Sequence, residues 1–304
     1  MPHAIIDLGT NTFNLLVFSQ KGSAIEILHS QEFPVFLGKG GLEKGRIAPE
    51  AFDRGIEALR SIVPIAEKWN ASPIKGIGCS TFRNAANAKE FIREAERLGI
   101  SIDVVRGDEE AAIILDGVRQ AVQLGDRPSL IMDIGGGSIE FILATEKALM
   151  WKQSFELGVT RLRERIPISD PITMDEELRI AEHLDAHLEP LWQIIDRHEP
   201  HLLIGSAGSF DSLAAMIDPD HHSDQRNTSL PIDAKQFDRL KDELLRMPHE
   251  TRSGFPGLPA HRVDTIIYAL IAIDRVLTAS GIRTIAWSRY SLKEGAAWRM
   301  LQQT

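Results

Sequence analysis

The sequence predicts an α/β fold built from two similar domains, each opening on a β-hairpin. Three observations carry this. LIMDIGGGSIEFIL (Leu130–Leu143) and AIIDLGTNTFNLLV (Ala4–Val17) share a pattern: an apolar run ending in aspartate, a glycine-bearing turn, and a second apolar run. Aligned on Asp133 and Asp7, Gly135 matches Gly9, Ser138 matches Thr12 and Glu140 matches Asn14; an internal repeat constrains architecture more strongly than local propensity does. After each hairpin, strand-like and helix-like segments alternate, in a chain of 304 residues that suffices for about two domains.

Residues 1–31 read as three strands, broken at Gly9–Asn11 and Lys21–Ser23. Phe33–Arg46 is irregular and holds Gly38, Gly40, Gly41 and Gly45. Pro49–Trp69 has helical spacing, with Phe52, Ile56, Leu59 and Val63 inward and Pro64 as a kink. Ile74–Cys79 is a short strand, Thr81–Leu98 a helix ended by Gly99, and Ser101–Val105 another strand. A helix then starts at Gly107, with Glu109 and Glu110 in its first turn and Ile113, Ile114 and Val118 inward. The order β-β-β-α-β-α-β-α is that of the ribonuclease-H-like fold of the actin-like ATPase superfamily.

The second half repeats the order. Strands fill 129–156, and Thr173–His198 reads as one long helix with a stripe of Leu178, Ala181, Leu184, Leu188 and Leu191. His201–Ile204 is a strand. Gly205–Ser209 is a second glycine-rich turn, leading into a helix through Met216. Asp218–Ser229 reads as a polar, mobile loop in which His221 and His222 are solvated. Asp233–Met247 and His261–Ser280 are helices, Arg283–Trp287 a strand and Leu292–Gln302 a last helix. The expected domains are 1–124 and 125–289, with an interdomain cleft and the helix of 290–304 packing back on the first.

Composition narrows the function. With 43% apolar and 25% charged residues the chain is of soluble globular type, and no apolar run approaches the roughly 20 residues a membrane helix needs. Cys79 is the single cysteine, which fits a reducing cytoplasm, and no Cys/His cluster has metal-ligand spacing. The net charge of −9 argues against nucleic acid and anionic membrane as partners. A polyanionic substrate would then depend on local arginines, backbone amides, helix N-termini and bound cations.

IDLGTNT, STFRNAANAKEF, GDEEA, DIGGGSIE, GSAGS, GLPAHRVDTI and SRYSLKEG occur in that order along nearly the whole chain. In this they resemble the exopolyphosphatase / guanosine pentaphosphate phosphohydrolase family, in its short two-domain form. The resemblance implies release of terminal phosphate from inorganic polyphosphate, or alternatively from guanosine pentaphosphate. An actin-fold ATPase or kinase and a non-catalytic polyphosphate or nucleotide sensor are the other readings. Thr10 and Thr12 stand where the family usually has serine, Asn14 where many members have arginine or histidine, and Ala112 where arginine is common.

Phosphoanhydride hydrolysis needs a positioned water, neutralised phosphate charge and a base. The resemblance assigns the base to Glu110; adjacent helical side chains diverge, so only one of Glu109 and Glu110 can face a site. Arg83 can grip phosphate oxygens with a two-pronged guanidinium. Thr10, Asn11 and Thr12 add donors, and Gly135, Gly136, Gly137 and Ser138 form a turn whose amides suit phosphate. Gly208 and Ser209 offer a further phosphate site at a helix N-terminus. Asp133 and Glu140, with Asp7, are the expected ligands of magnesium or manganese, a hard cation needing few carboxylates. Arg161, Arg163 and Arg165 read as steering residues or as paired with acidic neighbours. The expected partner is the polyphosphate or the pentaphosphate; a homodimer is left open.

Overall fold

The computed structural model describes residues 1–22 and 24–302. Ser23, in the expected break at Lys21–Ser23, and the end of the expected 290–304 segment lie outside the described residues. The chain divides into two compact units, Met1–Gly117 with Ser291–Thr304, and Val118–Tyr290. The division falls inside a helix.

The first unit begins with β1 (His3–Leu8), β2 (Thr12–Lys21) and β3 (Ala24–Pro34), an antiparallel meander. After α1 (Pro49–Lys68), β4 (Ile74–Gly78) adds parallel to β1. Then come α2 (Ser80–Asn84), α3 (Ala88–Arg97), β5 (Ile100–Val104) parallel to β4, and α4 (Gly107–Ala121). The sheet order is β3-β2-β1-β4-β5.

The spacing predicts one helix over Thr81–Leu98, but two form. Asn87 is buried, and its side-chain amide bridges both polar groups of Ile47: Oδ1 accepts from the N–H at 2.9 Å and Nδ2 donates to the carbonyl at 3.0 Å. The break falls at Ala85, whose backbone is extended at φ −83° and ψ 125°, and α3 restarts after Asn87, which its bonds to Ile47 hold from outside the helix. The inner face of α1 also differs. Ile56 and Leu59 are buried as expected, together with Ala51, Gly55, Ile62 and Ala66, while Phe52 and Val63 are only partly buried. Phe91 explains the phase: a Cβ on Gly55 would lie 2.6 Å from the Phe91 ring, so α1 turns its smallest residue there. Phe91 meets Phe13, Phe52 and Phe82 edge-on, with centroids 5.1–6.3 Å apart. Each such pair adds about 0.5–1.5 kcal/mol beyond burial. Phe82 thereby seats α2, which carries two residues near the expected site, Thr81 and Arg83.

The second unit repeats the plan with β6 (Ser129–Ile134), β7 (Ile139–Ala144) and β8 (Leu149–Phe155), again an antiparallel meander. Next come α5 (Val159–Arg165), α6 (Met174–His187), α7 (Glu189–His198) and β9 (Leu202–Ser206), parallel to β6. They are followed by α8 (Ala207–Ile217), α9 (Pro219–Ser223), β10 (Ser229–Asp233), α10 (Ala234–Arg246), α11 (His249–Arg252), a 3-10 turn at Ala260–Arg262, α12 (Ile266–Ser280) and β11 (Thr284–Ser288). The sheet order is β10-β11-β9-β6-β7-β8. The last helix, α13 (Leu292–Gln302), belongs to the first unit and packs on β1, β2 and β3. Two ribonuclease-H-like domains therefore make up the chain.

Several expectations fail in the second unit; the helix expected over His261–Ser280 begins only at Ile266, after the 3-10 turn. The 173–198 helix breaks at Leu188, because Pro190 has no N–H to give and fits only the first turn of a new helix. Leu178 is 58% exposed; the buried line runs through Ile180, Leu184, Leu188 and Leu191. The 218–229 segment is tied down. Arg289 donates from Nε to the Asn227 carbonyl at 2.6 Å and from Nη2 to the carbonyls of His222 and Asp224 at 2.5 and 3.1 Å. His221 Nε2 donates to the Ser229 carbonyl at 2.8 Å, and the His222 ring lies 4.9 Å from that of Trp287. Neither histidine is simply solvated.

Candidate active site

The two hairpins match bond for bond. In the first unit Asp7 sits opposite Asn14, and the Gly9 N–H closes the turn on the Thr12 carbonyl at 3.0 Å. In the second, Asp133 sits opposite Glu140, and the Gly135 N–H closes on the Ser138 carbonyl at 3.0 Å. The segment after each third strand then takes up the turn's outward carbonyls. Val35 and Phe36 N–H groups donate to the Asn11 carbonyl at 2.8 and 2.7 Å, and Gly38 N–H to the Thr10 carbonyl at 3.0 Å.

In the second unit this capping is more complete. Val159, Thr160 and Gly158 N–H groups donate to the carbonyls of Gly135, Gly136 and Gly137 at 3.0, 2.9 and 3.2 Å. Arg161, 8% exposed, adds Nε to the Gly137 carbonyl at 3.1 Å and Nη2 to Glu156 at 2.5 Å. With the carbonyls held on one side, the Gly136 and Gly137 N–H groups donate to no backbone atom among the described residues. Buried amides without an acceptor are costly, and an anion supplies the acceptor. Gly158 makes this fit possible: a Cβ there would lie 2.4 Å from the backbone of Gly136 and Gly137. Of the basic trio, Arg161 is thus part of the turn's support, and Arg163 pairs with Asp264 at 2.8 Å.

The hairpins differ in charge. Asp133 and Glu140 are 6% and 1% exposed, and accept hydroxyl bonds from Ser206 at 2.7 Å and Ser154 at 2.6 Å. Two carboxylates buried on paired strands repel unless a proton or cation intervenes. In the first unit Asn14 removes that repulsion; its Nδ2 donates to Asp7 at 3.2 Å. The second hairpin is therefore the better cation holder. Among the described residues no cluster of three or more His, Cys, Asp or Glu forms a closed metal cage. Magnesium does not require one, since it keeps several waters and takes one or two carboxylates.

The first unit gathers the remaining expected residues. Glu109 is exposed and Glu110 is 6% exposed, so the helix turns only the second glutamate inward. Arg83, at the end of α2, donates from Nη1 to the Glu110 carboxylate and to the Val105 carbonyl at 3.3 Å. Thr10 and Thr81 share a hydroxyl hydrogen bond of 2.9 Å, joining the hairpin turn to α2. Cys79 lies beside them, its Sγ 3.9 Å from Asp7. Burial, then the Glu110 and Asp7 carboxylates, push its thiol well above the ordinary range.

In the second unit β9 runs through Ser206, so Gly208 and Ser209 fall inside the first turn of α8 rather than in a loop before it. Ala207 holds φ at 62°, a left-handed backbone at the strand-to-helix switch. The Arg262 guanidinium lies directly over Gly208, where a Cβ would come within 2.1 Å of it. Sequence reasoning assigns Arg262 no part. The signal is the AHRVD segment, whose arginine is set beside Gly208 only by tertiary folding.

A family model, that of the Ppx/GppA phosphatase family, matches residues 16–304. An exopolyphosphatase from Cytophaga hutchinsonii is 35% identical over 100% of this chain and 99% of its own, with a TM-score of 0.96. A Haemophilus influenzae protein, provisionally named an exopolyphosphatase, is 26% identical over 98% of this chain and 90% of its own. A Ppx/GppA member from Aquifex aeolicus, at 21% identity over 100% of this chain and 98% of its own, shares the fold with a TM-score of 0.81. The chain belongs to the Ppx/GppA phosphatase family and is a phosphoanhydride hydrolase of exopolyphosphatase type.

Proposed function

We propose that the enzyme releases terminal phosphate from inorganic polyphosphate by attack of water on the terminal phosphorus. Glu110 accepts the water's proton; its burial and its guanidinium partner fix the direction of the carboxylate. Arg83 and the Thr10–Thr12 turn hold oxygens of the terminal phosphate. The Gly136 and Gly137 amides, already aimed by the capped carbonyls, hold charge on the phosphate chain without reorganising as it shifts. Gly208, Ser209 and Arg262 receive a further phosphate unit. Asp133 and Glu140 would hold magnesium, or manganese, largely through water, with Asp7 in the matching position of the first unit's own hairpin; the ion supplies charge neutralisation.

The observation that carries this reading is the duplicated turn with its carbonyls capped and its amides presented, one copy backed by a buried carboxylate pair. Polyphosphate is preferred to guanosine pentaphosphate because the full-length relative at 35% identity is an exopolyphosphatase. The test is phosphate release from polyphosphate, guanosine pentaphosphate and ATP, each with magnesium and with excess EDTA. The proposal expects polyphosphate to have the highest kcat/KM and EDTA to abolish release. Faster release from ATP, or full activity in EDTA, overturns it.

A further inference from the structure

The hairpin of the first unit sets three polar side chains together. Successive residues of a strand point to opposite faces, so Thr12 and Asn14 share one face of β2 while Phe13 between them is fully buried. Across the β1–β2 ladder Asn14 stands opposite Asp7. One atom joins all three: Asn14 Nδ2 donates to Asp7 Oδ2 at 3.2 Å and to Thr12 Oγ1 at 3.3 Å.

Hydrogen-bond polarity runs one way through this set. An ionised carboxylate only accepts, so Asp7 draws the NH2 end of the Asn14 amide toward itself and turns the carbonyl end away. The other Asp7 oxygen, Oδ1, lies 3.9 Å from the Cys79 thiol. The same NH2 group reaches Thr12, and in that bond the threonine oxygen is the acceptor. Among the described residues the Thr12 hydroxyl makes no other side-chain bond, so its hydrogen is left to donate outward. The second hairpin is wired differently. At the place of Asn14 stands Glu140, whose carboxylate accepts from Ser154 and has no N–H to offer the hydroxyl of Ser138.

We infer that Asn14 is a positioning residue that fixes the Thr12 hydroxyl as a donor to a phosphate oxygen of the substrate. The inference rests on the reading that the Thr10–Thr12 turn holds the terminal phosphate. Phosphate oxygens accept hydrogen bonds, and a hydroxyl already polarised as a donor needs no reorientation as charge shifts on them. Without Asn14 the hydroxyl rotor is free, and the Asp7 carboxylate competes with the substrate for its hydrogen.

The test is a double-mutant cycle. Asn14→Leu removes the donor at nearly constant volume, Thr12→Val removes the hydroxyl and keeps the branched shape, and the double variant removes both. Asn14→Ala takes the place of Asn14→Leu if the latter folds poorly. For each protein kcat/KM for polyphosphate and the Kd of fluorescein-labelled polyphosphate are measured. Each single variant is expected to lower kcat/KM about tenfold, as for loss of one hydrogen bond to a charged group. The double variant is expected to stand within about twofold of Thr12→Val. On a Thr12→Ser background, which keeps the hydroxyl, the asparagine substitution still costs about tenfold. A merely structural Asn14 gives independent losses that multiply to about a hundredfold in the double variant, and that result overturns the inference. So does a Thr12→Val enzyme with wild-type kcat/KM. If wild type releases no phosphate from polyphosphate, the proposed function fails, and the same cycle read on Kd decides the role of Asn14. A wild type that does not bind the labelled chain either overturns both.

Discussion

Replacing Gly158 by alanine tests the support of the phosphate turn. The new Cβ would stand 2.4 Å from Gly136 C and Gly137 N, both backbone atoms with no rotamer to yield. Something must move by about an ångström to restore ordinary contact, and overpacking of this kind costs about 1–3 kcal/mol. The displaced strut carries the N–H bonds of Gly158, Val159 and Thr160 to the turn, each contributing about 0.5–1.5 kcal/mol. For a unit of this size a loss of 1 kcal/mol lowers Tm by about 2–4 °C. Misplacing the amides by such a distance should lower kcat/KM by roughly ten- to a hundredfold, as for other misaligned sites. Gly125→Ala is the control, since a Cβ there meets nothing within 4 Å. Thermal melts and phosphate-release kinetics on both variants read the result. A Gly158→Ala enzyme with wild-type Tm and kcat/KM would refute the idea that α5 aims the turn.

Glu110→Gln keeps an acceptor for Arg83 but cannot take a proton, so kcat should fall about 10²–10⁴-fold while polyphosphate Kd stays within about threefold; kcat within tenfold of wild type contradicts the assignment. Ala207→Gly removes a left-handed alanine and should stabilise the protein by about 1 kcal/mol in denaturant unfolding; equal or lower stability would mean that the glycine's entropy outweighs any strain there. Alkaline stability follows from two raised pKa values: burial takes Cys79 well above its usual value and Tyr268 to about 12. Both groups bind protons more tightly folded than unfolded, so their contribution is intact below the unfolded values and is lost as pH climbs through the folded ones. Tm should therefore decline from about pH 9 upward. Native Cys79 should also resist iodoacetamide at about pH 8 and react promptly once unfolded; equal labelling in both states would contradict its burial.

Much of the fold is legible because its signals are local. The hairpins announce themselves by short apolar runs around glycine turns, and the register opposing Asp133 to Glu140 follows from the turn length. What sequence reasoning misses depends on distant partners. Asn87 looks like a neutral helical residue, yet it stands at the start of α3 with its amide bound to Ile47, a partner far off in sequence, and the chain between α2 and α3 is extended at Ala85. The phase of α1 is set by Phe91, which lies beyond a strand and a turn. Ser229–Asp233 does not announce itself as a strand because Pro231 weakens the signal; as the edge strand β10 it needs no ladder bond on its outer side. Pro190 is the one local mark that the helical stripe conceals. In the site, Glu110, Asp133 and the glycine turn are legible as chemistry-bearing residues at element ends. Arg262 is not, because its place over Gly208 joins segments far apart in sequence. The supporting contacts of Gly158 and Arg161 are hidden likewise: nothing in VTRLR says that its amides cap a turn formed two strands earlier.

The most direct measurement of the central claim is hydrolysis of a defined-length polyphosphate in ¹⁸O-labelled water, followed by mass analysis of both products. Attack of water on the terminal phosphorus puts one solvent oxygen in the released phosphate and none in the chain, which shortens one unit at a time. Label appearing at the new chain end, or the accumulation of fragments from internal cleavage, would contradict it.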